Sequence, residues 1–290
     1  MVGAEYDADR PTKTMKMDPF AALFAHVAPS ARTFFTGNLC ATAQFAGGGH
    51  LHLLKGGVLK VTQTGRDDIV LEDPTLLFFP RGRAHGFVGD PDRGADLVCA
   101  TVDLGSEAGN PIGQGLPGLV VLPLASHPAL APVCELLMAE AFTDAGGRQA
   151  ALDRLFDYLL ILIVRHVVDS GGVQSGVLAG LADPRLARAL TALHEAPGKL
   201  WSLEDLAEVA GMSRTRFAAA FKATVGRTPI DYLTAWRMTI ARQSLAKGKS
   251  VKSVAAEAGY DSPAAFARVF ARMTGQSPRA WSSAHEAGGA

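Results

Sequence analysis

Residues 202–229 read SLEDLAEVAGMSRTRFAAAFKATVGRTP, and residues 250–281 read SVKSVAAEAGYDSPAAFARVFARMTGQSPRAW. The second stretch repeats the first. Leu203, Ala207 and Gly211 recur 48 positions later as Val251, Ala255 and Gly259. After one extra residue the offset is 49, and Phe217, Phe221, Gly226, Pro229 and Tyr232 return as Phe266, Phe270, Gly275, Pro278 and Trp281. Each copy has the plan helix, glycine turn, helix. Ser202 is placed to cap a helix through Ala210, with Asp205 reaching back in a variant of the capping box. Gly211 makes the turn, and Ser213 caps a second helix running to about Thr224. Ser250 and Ser262 take the same parts in the second copy. Pro263 stands at a first helical position, where the missing N–H costs nothing. Pro229 opens a long helix through Leu245 that joins the copies.

Two helices across a short turn are the plan by which a second helix is presented to the major groove. That helix must turn aromatics inward and small or polar groups outward. In the first copy Phe217 and Phe221 face in at i, i+4. Ser213, Arg214, Thr215, Arg216, Ala218, Ala219 and Lys222 are the candidate DNA-facing residues. In the second, Phe266 and Phe270 face in, which leaves Ser262, Ala264, Ala267, Arg268 and Arg272 outside. Charge points the same way. The chain has 28 basic and 28 acidic side chains, yet residues 183–285 hold 15 basic against 8 acidic, and the rest 13 against 20. A basic end on a neutral chain reads as an anion-binding module attached to something else. The competing reading is a helical repeat whose basic residues only solvate it.

On these residues the segment 183–285 resembles the DNA-binding domain of AraC/XylS-type transcriptional regulators. The resemblance implies two helix-turn-helix units joined by a long helix, with recognition helices in adjacent major grooves. Successive grooves lie ~34 Å apart on one DNA face. It implies double-stranded DNA and RNA polymerase as partners. The second recognition helix departs by being rich in alanine (Ala264, Ala265, Ala267). Arg268 is therefore expected on a base or the backbone and Ser262 on a phosphate, with most specificity in Arg214, Thr215 and Arg216.

Upstream, from about Thr36 to Leu124, short β-type runs are punctuated by glycine: Asn38–Phe45, His50–Leu54, Val58–Gln63, Ile69–Glu72, Leu76–Pro80, His85–Val88 and Leu97–Leu104. They predict an all-β barrel or sandwich. Pro80-Arg81-Gly82-Arg83-Ala84-His85 is similar to the second cupin motif, and His50-Leu51-His52 resembles the H-x-H of the first. Residues i and i+2 share a strand face, so His50 and His52 point the same way. With His85, and with Cys99 as a soft ligand, they make a candidate transition-metal set. The cupin glutamate is replaced by Gly56 or Gly57, and the asparagine-like position is Gly89. The resemblance is strongest to cupin-type domains that precede AraC-type DNA-binding domains. These commonly keep the Pro-Arg-Gly-x-x-His turn without being enzymes, so no cofactor is required. His52, His85, Phe45 and Phe87 are then the candidate border of an effector pocket. Cys99 on an apolar strand reads first as a small buried hydrophobe.

From Pro128 the period becomes helical. Val133, Leu136, Leu137 and Ala141, then Leu152, Leu155, Phe156, Leu159, Leu160, Ile163 and Val167, predict a hairpin about Gly146-Gly147. The second helix is apolar on more than one face, which suggests a homodimer contact, with burial inside one chain the competing reading. The expected organisation is multidomain α+β: a loose tail at 1–16, a cupin-like sensor barrel at 17–126, a dimerising hairpin at 127–170, a linker at 171–182 and the DNA-binding domain at 183–285. Apolar residues make up 48% of the chain and charged residues 19%, which excludes wholesale disorder. No apolar run of ~18 residues exists, so no membrane span is expected. Met1–Arg10 has no apolar segment of a secretory signal. The cysteines, three and far apart, exclude a disulfide scaffold or zinc ribbon and fit the cytoplasm. The sequence thus predicts a sequence-specific regulator responsive to a small-molecule effector. The alternatives are a metal-dependent cupin enzyme fused to a DNA-targeting module, and a constitutive DNA-binding protein whose barrel only dimerises.

Overall fold

The computed structural model describes residues 18–27, 29–104 and 111–286, so the tail expected at 1–16 lies outside the described residues. After a short helix α1 (Ala21–His26), the strands are β1 (Ser30–Leu39), β2 (Thr42–Phe45), β3 (Gly49–Gly57), β4 (Leu59–Gln63), β5 (Ile69–Leu71), β6 (Thr75–Phe79), β7 (His85–Gly89), β8 (Ala95–Asp103) and β9 (Val120–Pro123). The run expected at Asn38–Phe45 breaks at Cys40-Ala41 into two strands, and β1 begins well before it. All pairs are antiparallel. One sheet has the order β1-β8-β3-β6-β9 and the other β2-β7-β4-β5. The two are not joined into one closed ladder, so the expected barrel is a two-sheet sandwich.

Strand alternation sorts the side chains. Leu54, Leu77, Phe79, Leu97 and Cys99 of the larger sheet meet Leu59, Val61 and Phe87 of the smaller one in the interior. The opposite face of the larger sheet carries Leu51, Leu53, Leu76, Phe78, Val98 and Ala100, and it is buried too. Beyond β8 comes α2 (Pro111–Gly115), and beyond β9 a hairpin of α3 (Ala131–Ala141) and α4 (Arg148–Asp169) covers that outer face. Helix α4 also closes the sheet's edge. Thr33 N–H of β1 donates to Asp153 and Ala31 N–H to Asp157, each at 2.8 Å. Capping an exposed row of strand donors removes a template for stray pairing.

The hairpin turn falls at Gly146-Gly147 as expected, with Gly147 left-handed at φ 82°. The reading of α4's second apolar face is corrected. Leu159 and Ile163 are fully buried inside this chain, not exposed to a partner. One stripe of α4 packs on β1 and α3, and the same core runs on into the next helices. Residues expected as a linker contain α5 (Val177–Ala182), whose side chains are buried against α6 (Pro184–Glu195) and α8 (Arg214–Val225). The remaining helices are α7 (Leu203–Ala210), α9 (Pro229–Ala246), α10 (Val251–Glu257), α11 (Pro263–Thr274) and α12 (Pro278–Glu286).

Truncating Leu159 to alanine leaves a cavity in a closed core, and we expect a loss of about 2–5 kcal/mol. Arg165→Ser, on the exposed side of the same helix, should change stability by less than about 0.5 kcal/mol. Urea unfolding of the two variants checks this; equal losses would put the buried stripe on the wrong face.

Candidate functional site

The duplicated helical units present the first surface of interest. Ser202 and Asp205 form the reciprocal capping box at the start of α7, and Gly211 ends that helix in the left-handed region at φ 66°. Ser250 caps α10 and Ser262 caps α11, each by accepting from the N–H three residues on. Ser213 departs from expectation. It occupies the cap position of α8, but its hydroxyl accepts from no N–H of that helix and stays exposed. Phe217, Phe221, Phe266 and Phe270 are all fully buried. Their inward anchoring fixes what faces out. Ser213, Arg214, Thr215, Arg216, Ala219 and Lys222 are exposed on α8, with Ala218 half-buried. On α11, Ala264, Arg268 and Arg272 are exposed at i, i+4 and i+8, and Ser262 is half-buried.

Two contacts on this surface carry no sequence signal. Arg214 pairs with Glu204 of α7 at 2.8 Å, both side chains well exposed. Arg216 makes no ion pair among the described residues. Arg188 of α6 donates to Ala210 O at 2.8 Å and so braces the turn from behind. These partners lie 10 and 22 residues apart, outside any helical period.

The second cluster is inside the sandwich. His50 and His52 share the inner face of β3, and His85 opens β7. The structure brings them together with Phe45 and Phe87. His52 and His85 Nε2 atoms lie 3.0 Å apart. His85 Nδ1–H donates to Arg83 O at 2.8 Å, so its Nε2 is the acceptor and His52 Nε2–H the donor. The His85 ring stacks on Phe79 at 3.7 Å between centroids and on Phe45 at 5.0 Å. Phe87 closes on His52 at 4.5 Å. His52 Nδ1 is buried without a partner. Burial pushes the His85 pKa down to about 4 and that of His52 well below the ordinary value, so both rings are neutral.

A transition metal needs several lone pairs converging on one point. Here the His85 lone pair faces the His52 N–H. Among the described residues no three His, Cys, Asp or Glu side chains surround a common point. Cys99 sits beside His52 in the strand register, but burial raises its pKa and keeps it a thiol. Hydrogen-bonded to each other, the His52 and His85 rings do not turn their lone pairs to one shared point. A Cβ at Gly57 would lie 2.1 Å from Gly94 O, and one at Gly89 would lie 1.9 Å from Leu39 O, so neither position has room for a side chain. At Gly56, the other place for the cupin glutamate, a Cβ would meet nothing within 4 Å, so the departure there has no steric reason.

A third feature, not legible in the sequence, is a cleft of about 710 Å³ on the outside of the sandwich, between the β3 and β6 ends and α3. Leu54, Pro74, Leu124, Cys134 and Met138 line its apolar wall, and Lys55 stands at its rim. That volume is in the range of small-molecule sites, roughly 300–1,000 Å³.

Residues 18–169 match the family described as Cupin, and residues 206–284 the family described as Helix-turn-helix domain. An uncharacterized HTH-type transcriptional regulator of Haemophilus influenzae is 30% identical over 255 residues, covering 80% of this chain and 85% of that protein. A putative AraC-like transcription regulator of Streptomyces lividans is 40% identical over 137 residues; the match spans 45% of each chain. Among solved structures, the DNA-binding domain of AdpA in complex with a target DNA is 33% identical. It covers 36% of this chain and 95% of that one, with a TM-score of 0.34.

Neutral buried imidazoles bind protons only after unfolding, so the unfolded state takes up more protons below its own pKa near 6.5. Stability should therefore be full above that pH and fall as pH drops from about 6.5 towards 4. The slope approaches tenfold in the folding constant per pH unit for each such histidine. His194, which burial lowers to about 3, adds to the same trend in the helical half. Thermal melts across pH 4–8 check this, with His85→Phe expected to flatten the sandwich's share. A melt independent of pH would contradict neutral burial.

Proposed function

The chain belongs to the AraC-like family of helix-turn-helix transcriptional regulators, with a Cupin domain ahead of its DNA-binding domain, and from that premise we propose how it works. It reads two adjacent major grooves sequence-specifically, α8 in one and α11 in the next. One observation carries this reading: a duplicated unit in which paired phenylalanines are buried and every arginine and lysine on α8 and α11 is exposed. Arg214 and Arg216 take base edges, and Lys222 and Arg272 take phosphates. Arg214 must first leave Glu204, an exposed pair worth no more than about 1 kcal/mol, so DNA competes for it readily.

Arg216→Ala is expected to weaken operator binding by roughly 1–3 kcal/mol and relax base preference at one position. Lys222→Ala should weaken operator and random duplex alike and reduce the log–log salt slope by about 1. Random-site enrichment followed by titration in several salts measures both. Unchanged operator selection in Arg214→Ala and Arg216→Ala would remove α8 from the reading role.

The sandwich is the input side, answering a small-molecule effector, and the protein is a regulator rather than an enzyme acting in the cytoplasm. Two places compete for the effector. The rings of His52, His85, Phe45 and Phe87 already touch one another, so binding there requires them to part. The cleft beside α3 has space, and α3 belongs to the apolar core that reaches α8. A coupling of ~1–3 kcal/mol would change DNA affinity about 5–150-fold. Met138→Trp, which fills the cleft, should abolish the inducer response in a reporter assay, while His52→Ala abolishes it if the ligand lies within the sandwich. A homodimer is proposed through half-exposed Leu136 and Tyr158 of the hairpin. RNA polymerase is the partner through which transcription changes.

A further inference from the structure

The two helix-turn-helix units have separate cores whose buried residues change over along α9 on either side of Arg237, with half-buried Ile240 still packed against the first. Tyr232, Leu233 and Trp236 belong to the first core. Met238, Ala241 and Leu245 belong to the second, with Val254, Phe266, Phe270 and Trp281. Arg237 lies between them and reaches both units. Its Nε donates to Pro197 O at 2.7 Å and its guanidinium to Lys199 O at 3.0 Å, both in the loop before α7. Its guanidinium also stands 5.8 Å from the ring of Tyr260, just after α10. The two loops touch directly. A Cβ at Gly259 would lie 2.3 Å from Gly198 O, and one at Gly198 would lie 2.8 Å from Glu257 O. Only glycines permit so close an approach of backbone to backbone.

We propose that Arg237, seated over the Gly198–Gly259 contact, sets the angle between α8 and α11 and thereby the half-site spacing this protein accepts. This rests on the reading that both helices enter one duplex. Apolar packing inside each unit fixes neither unit against the other. The two cores have helix α9 in common, so the angle between the units also depends on how the loops beside that helix are held together. The planar guanidinium, bonded to two carbonyls of one unit and 5.8 Å from an aromatic ring of the other, is the cross-brace between those loops. Arginine suits this because its donors form a rigid fork, which a lysine lacks. Arg237 is thus a positioning residue: it touches no DNA, yet it decides which DNA is bound.

One inserted base pair turns the second half-site by ~34–36° and moves it ~3.4 Å. A braced protein cannot follow that change; an unbraced one can. The test uses the full chain, its operator from random-site enrichment, and operators with one base pair added or removed between the half-sites. The wild type should lose tens to hundreds of fold in affinity on the altered spacings. Arg237→Ala should bind the native spacing more weakly, with the penalty for altered spacing reduced to a few fold, and Arg237→Lys should fall between. A residue needed only for folding would lower affinity at all spacings by the same factor, and that result would overturn the proposal. If Arg237→Ala melts cold, Gly198→Ala, which parts the two loops, becomes the deciding variant, with the same relaxed spacing expected and an unchanged spacing penalty counting against it. Failure of the wild type to bind any duplex at low salt would instead overturn the DNA-reading assignment on which this rests.

Discussion

The five-stranded sheet is apolar on both faces, and most of the molecule follows from keeping both dry. One face is met by the smaller sheet, which makes the sandwich. The other presents Leu51, Leu53, Phe78 and Val98, and exposing such a surface costs about 25 cal/mol for each Å². The α3–α4 hairpin is the cover. It can lie flat because α4 brings Asp153 and Asp157 to the otherwise unpaired N–H groups of β1, so the same helix satisfies the sheet's edge and its face. The apolar stripe of α4 then continues into α5, α6 and α8 without a break. Sensor half and first DNA-reading unit thus share a single core. Packed side chains run unbroken from the cover to α8.

The helical repeat was legible because its information is local. Serine caps, left-handed glycines and i, i+4 phenylalanines act within a few residues of themselves, so Ser202, Gly211 and Phe217 announce their roles in order. Ser213 shows the limit: the right residue at the right place leaves its exposed helix start without a side-chain cap. Contacts across turns were not legible. Nothing in the spacing of Glu204 and Arg214, or of Arg237 and Pro197, marks them as partners. The α4 stripe shows a different limit. A sequence reveals that a helix is apolar on two sides, but not whether the second cover is a partner or the same chain, and here Leu159 and Ile163 are claimed from within. Likewise Val177–Ala182 is too short for a period to show, so a buried helix reads as linker.

In the sandwich the motif was found and its chemistry was not. Strand alternation turns His52 to the inner face, and the packing of the two sheets brings it against His85. What surrounds them is set by non-local strands: Phe79 from β6, Phe45 from β2 and Phe87 from β7. Rings on every side turn a prospective ligand set into a hydrogen-bonded, desolvated pair. The glycines at 57 and 89 belong to the same account. Strands pass so closely there that side chains are excluded, while the neighbouring Gly56 stands in open space.

The second helix-turn-helix unit has its core closed upon itself, from Met238 to Trp281. Apart from α9 and the bridge at Arg237, its side chains pack on one another rather than on the rest of the chain. Cooperative units of this kind open on their own, with free energies below that of global unfolding. Amide exchange along α10 and α11 would be governed by that small unit, while α8 exchanges with the sensor. If both units sit on one duplex, as proposed above, the outer unit would be the first to let go and the first to re-form, while the unit that shares the sandwich's core would stay folded with it.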